Sequence, residues 1–132
     1  MKRVLLVVVV ALVIVAFFAY RYYNKPHRSL DDETGIAVDA SALFDVFESN
    51  ETKANALYLD KVVKVNGKVS SLSINQEGKQ VVILETKDPM FGVSCTLDEP
   101  VDDIEIGATI VIKGFCKGYL SDVVLTECKL IK

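Results

Sequence analysis

Apolar and polar positions follow three successive rhythms along this chain. From Val4 to Tyr20 (VLLVVVVALVIVAFFAY) the run is unbroken and apolar for 17 residues, bounded by Lys2 and Arg3 before it and Arg21 after it. As a helix it spans roughly 25 Å at about 1.5 Å per residue, close to the ~30 Å hydrocarbon core of a bilayer. Residues 1–23 therefore predict one transmembrane helix. Between Asn24 and Asp39 (NKPHRSLDDETGIAVD) the pattern lapses: Pro26, Gly35 and the acidic trio Asp31-Asp32-Glu33 stand among few large apolar residues. That composition predicts a mobile tether over residues 24–39.

Residues 40–132 read as one small domain. Leu43, Phe44, Val46 and Phe47 give a one-sided helical pattern to about Ser49. Asp39 or Ser41 is placed to cap its start, since a short polar side chain accepts backbone N–H bonds there. A second short helical stretch runs from Glu51 to Leu59. After Asp60 the period becomes two. Strands are predicted at Val62–Ser71, Gln80–Glu85, Gly92–Leu97, Thr109–Cys116 and Asp122–Ile131. Turn signals separate them at Asn75–Gly78, Lys87-Asp88-Pro89, Asp98–Gly107 and Lys117–Ser121. Gly67 falls on the apolar face of the first strand and points to a bulge or sharp coil.

Five short, evenly spaced strands define a mainly β domain, and a five-stranded OB-like Greek-key barrel is the leading architecture. The helix usual between the third and fourth strands of that fold has no sequence signal here. The helical stretches precede the first strand instead, so Leu43, Phe44 and Phe47 are expected to plug an open barrel end.

The apolar run has a rival reading as a cleaved signal peptide, which needs a shorter core and a small-x-small cleavage site. This run ends in bulk, at Phe17, Phe18, Tyr20, Tyr22 and Tyr23, and no cysteine follows to offer a lipoprotein site. The tyrosines with Arg21 and Lys25 form an interfacial belt. An uncleaved single-pass signal anchor is the expectation. Flanking charge hardly chooses an orientation. The very short basic N-terminus favours a domain outside the cytoplasm, periplasmic or otherwise extracytoplasmic.

Charge is divided unevenly. Residues 1–28 hold five Lys/Arg and no acid, whereas residues 29–132 hold ten Lys, no Arg and all 18 Asp/Glu, a net of −8. Such a domain is a poor match to a polyanion, because nucleic-acid affinity rests largely on neutralising phosphates. The strands that would form an OB reading platform, Val62–Ser71, Gln80–Glu85 and Gly92–Leu97, contain no aromatic residue for base stacking. The same charge predicts that the domain stands off anionic lipid.

Several local sequences look familiar. Gly92-Val-Ser-Cys95, the run Ile112-Lys-Gly-Phe-Cys116-Lys-Gly118-Tyr119-Leu120-Ser-Asp122-Val-Val-Leu125-Thr-Glu-Cys128, and the approach Asn50–Gly67 resemble the tRNA_anti-like family of OB-fold proteins. The resemblance covers roughly Ser41 to Ile131. It implies the OB fold and brings no catalytic residues with it. The family's name reflects likeness to anticodon-binding domains and is no evidence for tRNA binding here.

Candidate chemistry is sparse. Cys95, Cys116 and Cys128 contain no Cys-x-x-Cys pair, and the one histidine, His27, lies in the tether. Three cysteines without a histidine do not complete a zinc site. Alternation puts Cys95 with Val93 and Leu97, Cys116 with Ile110 and Ile112, and Cys128 with Val124 and Leu130, all facing the core as buried thiols. If the domain is exported a disulfide is allowed. A hairpin turning near Tyr119 would set Cys128 opposite Ile110 and Cys116 opposite Asp122, on the order of 20 Å apart. The third and fifth strands of an OB barrel are neighbours, which makes Cys95–Cys128 the feasible pair. The acidic stretch Asp98–Glu105 does not match an EF-hand loop and reads as a solvated connection. Asp122 reads as a residue that orders a turn. No catalytic residues, metal site or cofactor are implied.

The expected function is therefore a membrane-anchored binding or interaction module without catalysis. It would meet a protein or small ligand through the Phe115–Ser121 turn, with Phe115, Tyr119 and Leu120 as contacts. Two alternatives stand beside it: a nucleic-acid-binding OB domain, and a structural component of an envelope assembly.

Overall fold

The computed structural model describes residues 1–24, 29–31 and 33–131. Helix α1 (Lys2–Tyr23) carries the apolar run, contains no buried residue, and is long and apolar enough to cross a membrane. The stretch expected as a tether falls partly outside the described residues, at 25–28 and 32. Its described parts lie against the barrel. Leu30 is buried with Val62 and Phe115. Lys129 Nζ donates to Asp31 Oδ2 at 3.0 Å. Ile36–Asp39 form a strand, β1, paired in parallel with Val63–Asn66. Four residues are too few to show a period, so only the neighbouring strand's backbone defines β1.

Helices α2 (Ala40–Ser49) and α3 (Glu51–Tyr58) follow directly. Asp39 stands at the N-cap of α2 without capping it. Its Oδ1 instead accepts from Asn66 Nδ2 at 3.3 Å, across the β1 pairing. Asn50 does cap α3, its Oδ1 accepting from the Lys53 N–H at 3.0 Å, which satisfies one of the free N–H groups of a first helical turn.

Five strands then close a barrel: β2 (Val62–Ile74), β3 (Gln80–Leu84), β4 (Val93–Leu97), β5 (Thr109–Tyr119) and β6 (Val123–Ile131). The order around it is β2-β3-β4-β6-β5, and β5 returns to β2. Strand β2 serves both sides of the closure. Val62–Lys68 pair with Phe115–Thr109 of β5, and Val69–Ile74 pair with β3 after a register shift between Val69 and Ser71. The kink therefore lies beyond Gly67. At Gly67 itself a Cβ would come within 2.9 Å of Ala40 Cβ and 3.1 Å of Leu84 Cβ, so the missing side chain makes room for the start of α2.

The hydrophobic core fills the barrel with Val63, Val65, Val82, Leu84, Val93, Leu97, Ile112 and Leu125. Leu43, Phe44 and Phe47 of α2, each at most 1% exposed, plug one end; Tyr119 joins them with its ring 6.0 Å from Phe47 and 5.8 Å from Phe44. The opposite end has no helix. There the acidic connection between β4 and β5 turns Ile104 inward. The Gln80 side chain acts as a peptide unit toward it, donating to Val101 O at 3.1 Å and accepting from Val101 N at 2.8 Å. We refer to these as the helical end and the acidic end.

The β5–β6 hairpin turns later than its residues suggest. Tyr119 pairs with Val123 and Cys116 with Leu125, rather than Cys116 with Asp122. Gly118, at φ 115°, carries β5 past the expected turn, and bulges between Lys113 and Phe115 and between Cys116 and Gly118 absorb the offset. A plug built on one aromatic face makes a specific demand. Phe47→Ala is expected to lower unfolding free energy by about 3–5 kcal/mol, the range for emptying a buried aromatic site, read as the shift in a urea denaturation curve.

Candidate functional site

The face that OB folds use for ligands is built from β2, β3, β4 and β6 here. Val82 and Leu84 point into the barrel, so Val81 and Ile83 point out; the same alternation turns Ser94 and Thr96 of β4 outward. Register sets Ser71, Ile83, Ser94 and Val124 in one row across the strands, and Ser73, Val81 and Thr96 in the next. Across these two rows the surface is mostly half-buried, uncharged and free of aromatic rings; the Lys68–Glu85 ion pair lies just beyond them. It offers hydroxyls and methyls, and neither cations for phosphates nor rings for bases.

The contact residues expected at the β5–β6 turn separate in the structure. Phe115 is covered: only 5% exposed, it is held on the outer barrel wall by Leu30 and Val62. Tyr119 is half-buried in the plug beside Phe44 and Phe47. Leu120 alone stands open, at 87% exposure. Sequence spacing could not separate them, because what covers Phe115 comes from 85 positions upstream in the chain, at Leu30.

Against the β5–β6 turn the fold sets the β3–β4 loop, whose Met90 the sequence pattern did not single out. In the β3–β4 loop, Asp88 Oδ1 accepts from the N–H groups of Met90 and Phe91 at 2.8 and 2.9 Å. Thr86 Oγ1 donates to Phe91 O at 2.7 Å. Asp122 ties this loop to the turn, its Oδ1 accepting from the Gly92 N–H at 2.8 Å. Asp122 thus orders the junction of two loops rather than its own turn. The result is a tight loop that leaves Met90 80% exposed and is tied to the turn that carries Leu120. A Lys-Asp-Pro break followed by Met-Phe was the available signal, and it reads equally well as an ordinary turn.

All three cysteines are buried free thiols. Cys128 reaches the core by a different route from simple alternation. Val124 faces outward, and Val123 and Leu125 face inward. Glu127, at φ 53°, is the extra residue of a bulge that makes Cys95–Leu97 oppose Leu125–Cys128. Its Sγ occupies the space above Gly114, where a Cβ would lie 2.5 Å away. The Cys128 thiol hydrogen-bonds with Cys95, and that contact together with burial pushes its pKa well above the ordinary value. Burial also raises Cys116. The observed register leaves Cys116 and Cys128 about three residues apart along the hairpin, roughly 10 Å, still beyond the ~7 Å reach of a bridge.

The acidic end holds a cavity of about 240 Å³ floored by Ile74, Leu97 and Val101, with Lys79 and Asp98 at its rim. Its polar floor is already satisfied, since both ends of the Gln80 amide are spent on Val101. Among the described residues no three His, Cys, Asp or Glu side chains converge on a metal position.

A closed five-stranded barrel with this strand order, helix-plugged at one end, defines an OB-fold protein, here preceded by a helix long and apolar enough to cross a membrane. The chain belongs to the tRNA_anti-like family, whose pattern it matches over residues 1–130. Among solved structures it is similar to a candidate nucleic acid-binding lipoprotein from Klebsiella pneumoniae subsp. pneumoniae, at 19% identity and a TM-score of 0.52, over 73% of this chain and 92% of that one. At that identity the likeness speaks for the fold. No functionally curated protein matches the chain.

The thiols yield two expectations. Folding keeps the Cys128 proton that the unfolded chain releases above the ordinary thiol pKa near 8.5. The raised folded value means that its contribution to stability is complete below about pH 8.5 and is lost as pH climbs beyond it. Urea midpoints should fall from there upward, and less steeply in Cys128→Ala. Refolding from urea in an oxidising thiol–disulfide buffer, which reaches the thiols before they are buried, should link Cys95 to Cys128 and leave Cys116 free, as read by peptide mapping without reductant; a Cys116–Cys128 link would contradict the register.

Proposed function

We propose that this protein is an uncleaved, single-pass membrane protein whose OB barrel lies outside the cytoplasm and works as a non-catalytic interaction module. The observation that supports it most is the ligand face: two rows of Ser, Thr, Val and Ile with no charge and no aromatic ring. Such a face suits contact with a protein surface or a small uncharged ligand, where apolar area and hydroxyl hydrogen bonds supply the affinity. Its rows set the Ser and Thr hydroxyls beside Val and Ile rather than beside a histidine or carboxylate that would activate them. Of the three contact residues expected at the β5–β6 turn, Leu120 is the one left exposed.

A second reading, nucleic-acid binding, is favoured by the fold and by the description of the Klebsiella pneumoniae protein. A domain at −8 without arginine opposes it. A third, a structural role in an envelope assembly, differs from the first only in having a fixed stoichiometric partner.

Two experiments test the proposal. Single-stranded RNA and DNA are expected to show no tight binding at low salt; salt-sensitive, high-affinity binding would replace the first reading with the second. A reporter fused after Lys132 should be active only outside the cytoplasm. A cytoplasmic signal would overturn the orientation, and crosslinking in membranes to one stoichiometric protein would favour the structural role.

A further inference from the structure

We propose that the barrel stands on the bilayer that holds α1, its helical end down, with Met90, Phe91 and Leu120 set in the headgroup layer. The inference rests on the reading of α1 as an uncleaved anchor and deepens it, because it fixes which surface meets lipid and which is left for a partner.

Three independent features point to that end. The first is where the chain reaches the barrel. Leu30 lies over Val62, the first residue of β2, and Phe115. Five residues later Gly35 has moved along the wall to Lys64 and Lys113, so the chain arrives nearer the helical end. From Tyr23, the last residue of α1, to Ser29 there are six peptide steps, which reach at most about 22 Å. Held that closely, even a weak surface contact is occupied much of the time, since the tether supplies a high effective concentration.

The second is charge polarity. The β2–β3 turn and the β4–β5 connection at the acidic end carry Glu77, Asp98, Glu99, Asp102, Asp103 and Glu105 against Lys79 alone. Most of the domain's net −8 therefore sits at one pole. The helical end carries less: its three connections hold Asp60, Glu85, Asp88 and Asp122 against Lys61 and Lys87, α2 and α3 add Asp45, Glu48 and Glu51 against Lys53, and Lys117 stands near the end of β5, a net of −3 against −5. The expectation that the domain stands off anionic lipid thus applies most strongly to the acidic pole, which the field of an anionic surface turns away.

The third is the state of the charges beside the apolar tips. Lys87 is paired with Asp45 at 2.9 Å and Lys117 with Asp60 at 3.2 Å. Asp88 and Asp122 accept backbone N–H bonds. Partners already in place lower the cost of moving these groups out of bulk water. Met90 and Leu120, 80% and 87% exposed, project beyond them on a loop and turn tied together by Asp122.

The full chain, reconstituted into phosphatidylcholine vesicles with a minority of phosphatidylglycerol, tests this. An environment-sensitive dye is attached through Leu120→Cys or Met90→Cys, and through Ile74→Cys or Ile106→Cys at the acidic end; the native thiols are buried. With spin-labelled acyl chains present, quenching is expected to be several-fold stronger at 90 and 120 than at 74 and 106. Met90→Asp should weaken the quenching at 120 and leave thermal unfolding unchanged. Equal quenching at the two ends, or none in a chain that still floats with the vesicles, overturns the docking while leaving the anchor intact; it would hand the tips to a protein partner. A chain that does not float with the vesicles overturns the anchor reading, and the docking with it.

Discussion

Everything in this molecule depends on one strand pairing in two directions. Strand β2 gives its first half to β5 and its second half to β3. Only a strand that bends between those halves can do so, and the bend falls where the register slips between Val69 and Ser71. Ser70 takes up the irregularity by donating its hydroxyl to Ile83 O at 3.0 Å. Closure leaves no free edge around the barrel proper, the usual weakness of a small sheet. The remaining open flank of β2 is taken by β1, so the segment after the apolar helix is recruited into the same sheet.

Closure also dictates what each end must do. A small barrel has two open mouths through which water would reach the core. At one, α2 supplies Leu43, Phe44 and Phe47; at the other, an acidic loop turns in Ile104 and is pinned by Gln80. The two solutions differ in chemistry, and the difference gives the domain its electrical polarity. Placing the helices before the first strand rather than between the third and fourth is what frees the β4–β5 connection to be acidic and solvated. Between the mouths, the two rows of outward Ser, Thr, Val and Ile on β2, β3, β4 and β6 carry no charge.

Much of this was legible in the residues. The membrane run, the two short helices, the five strands and the plugging role of Leu43, Phe44 and Phe47 are all periodicity signals, and periodicity reports directly which side of an element meets the core. The burial of the cysteines was legible too. Their arrangement was not: Cys128 reaches the core through a bulge at Glu127, a backbone feature that has no side-chain period. The hairpin register failed for a related reason. Gly118 reads as a turn residue, and its positive φ in fact carries the strand onward.

The sequence by itself determined the long apolar helix, the barrel's strands and the acidic, arginine-free character of the domain, because length, alternation and charge are local sums over neighbouring residues. Only the tertiary structure decided which exposed residues stay exposed. Phe115 disappears beneath Leu30, Tyr119 turns into the plug, and Met90 emerges on a loop tied to the turn of Leu120 by an aspartate thirty-two positions away, at Asp122. Each of those outcomes depends on segments that meet only after β2 has closed the barrel, and no local pattern records such a meeting.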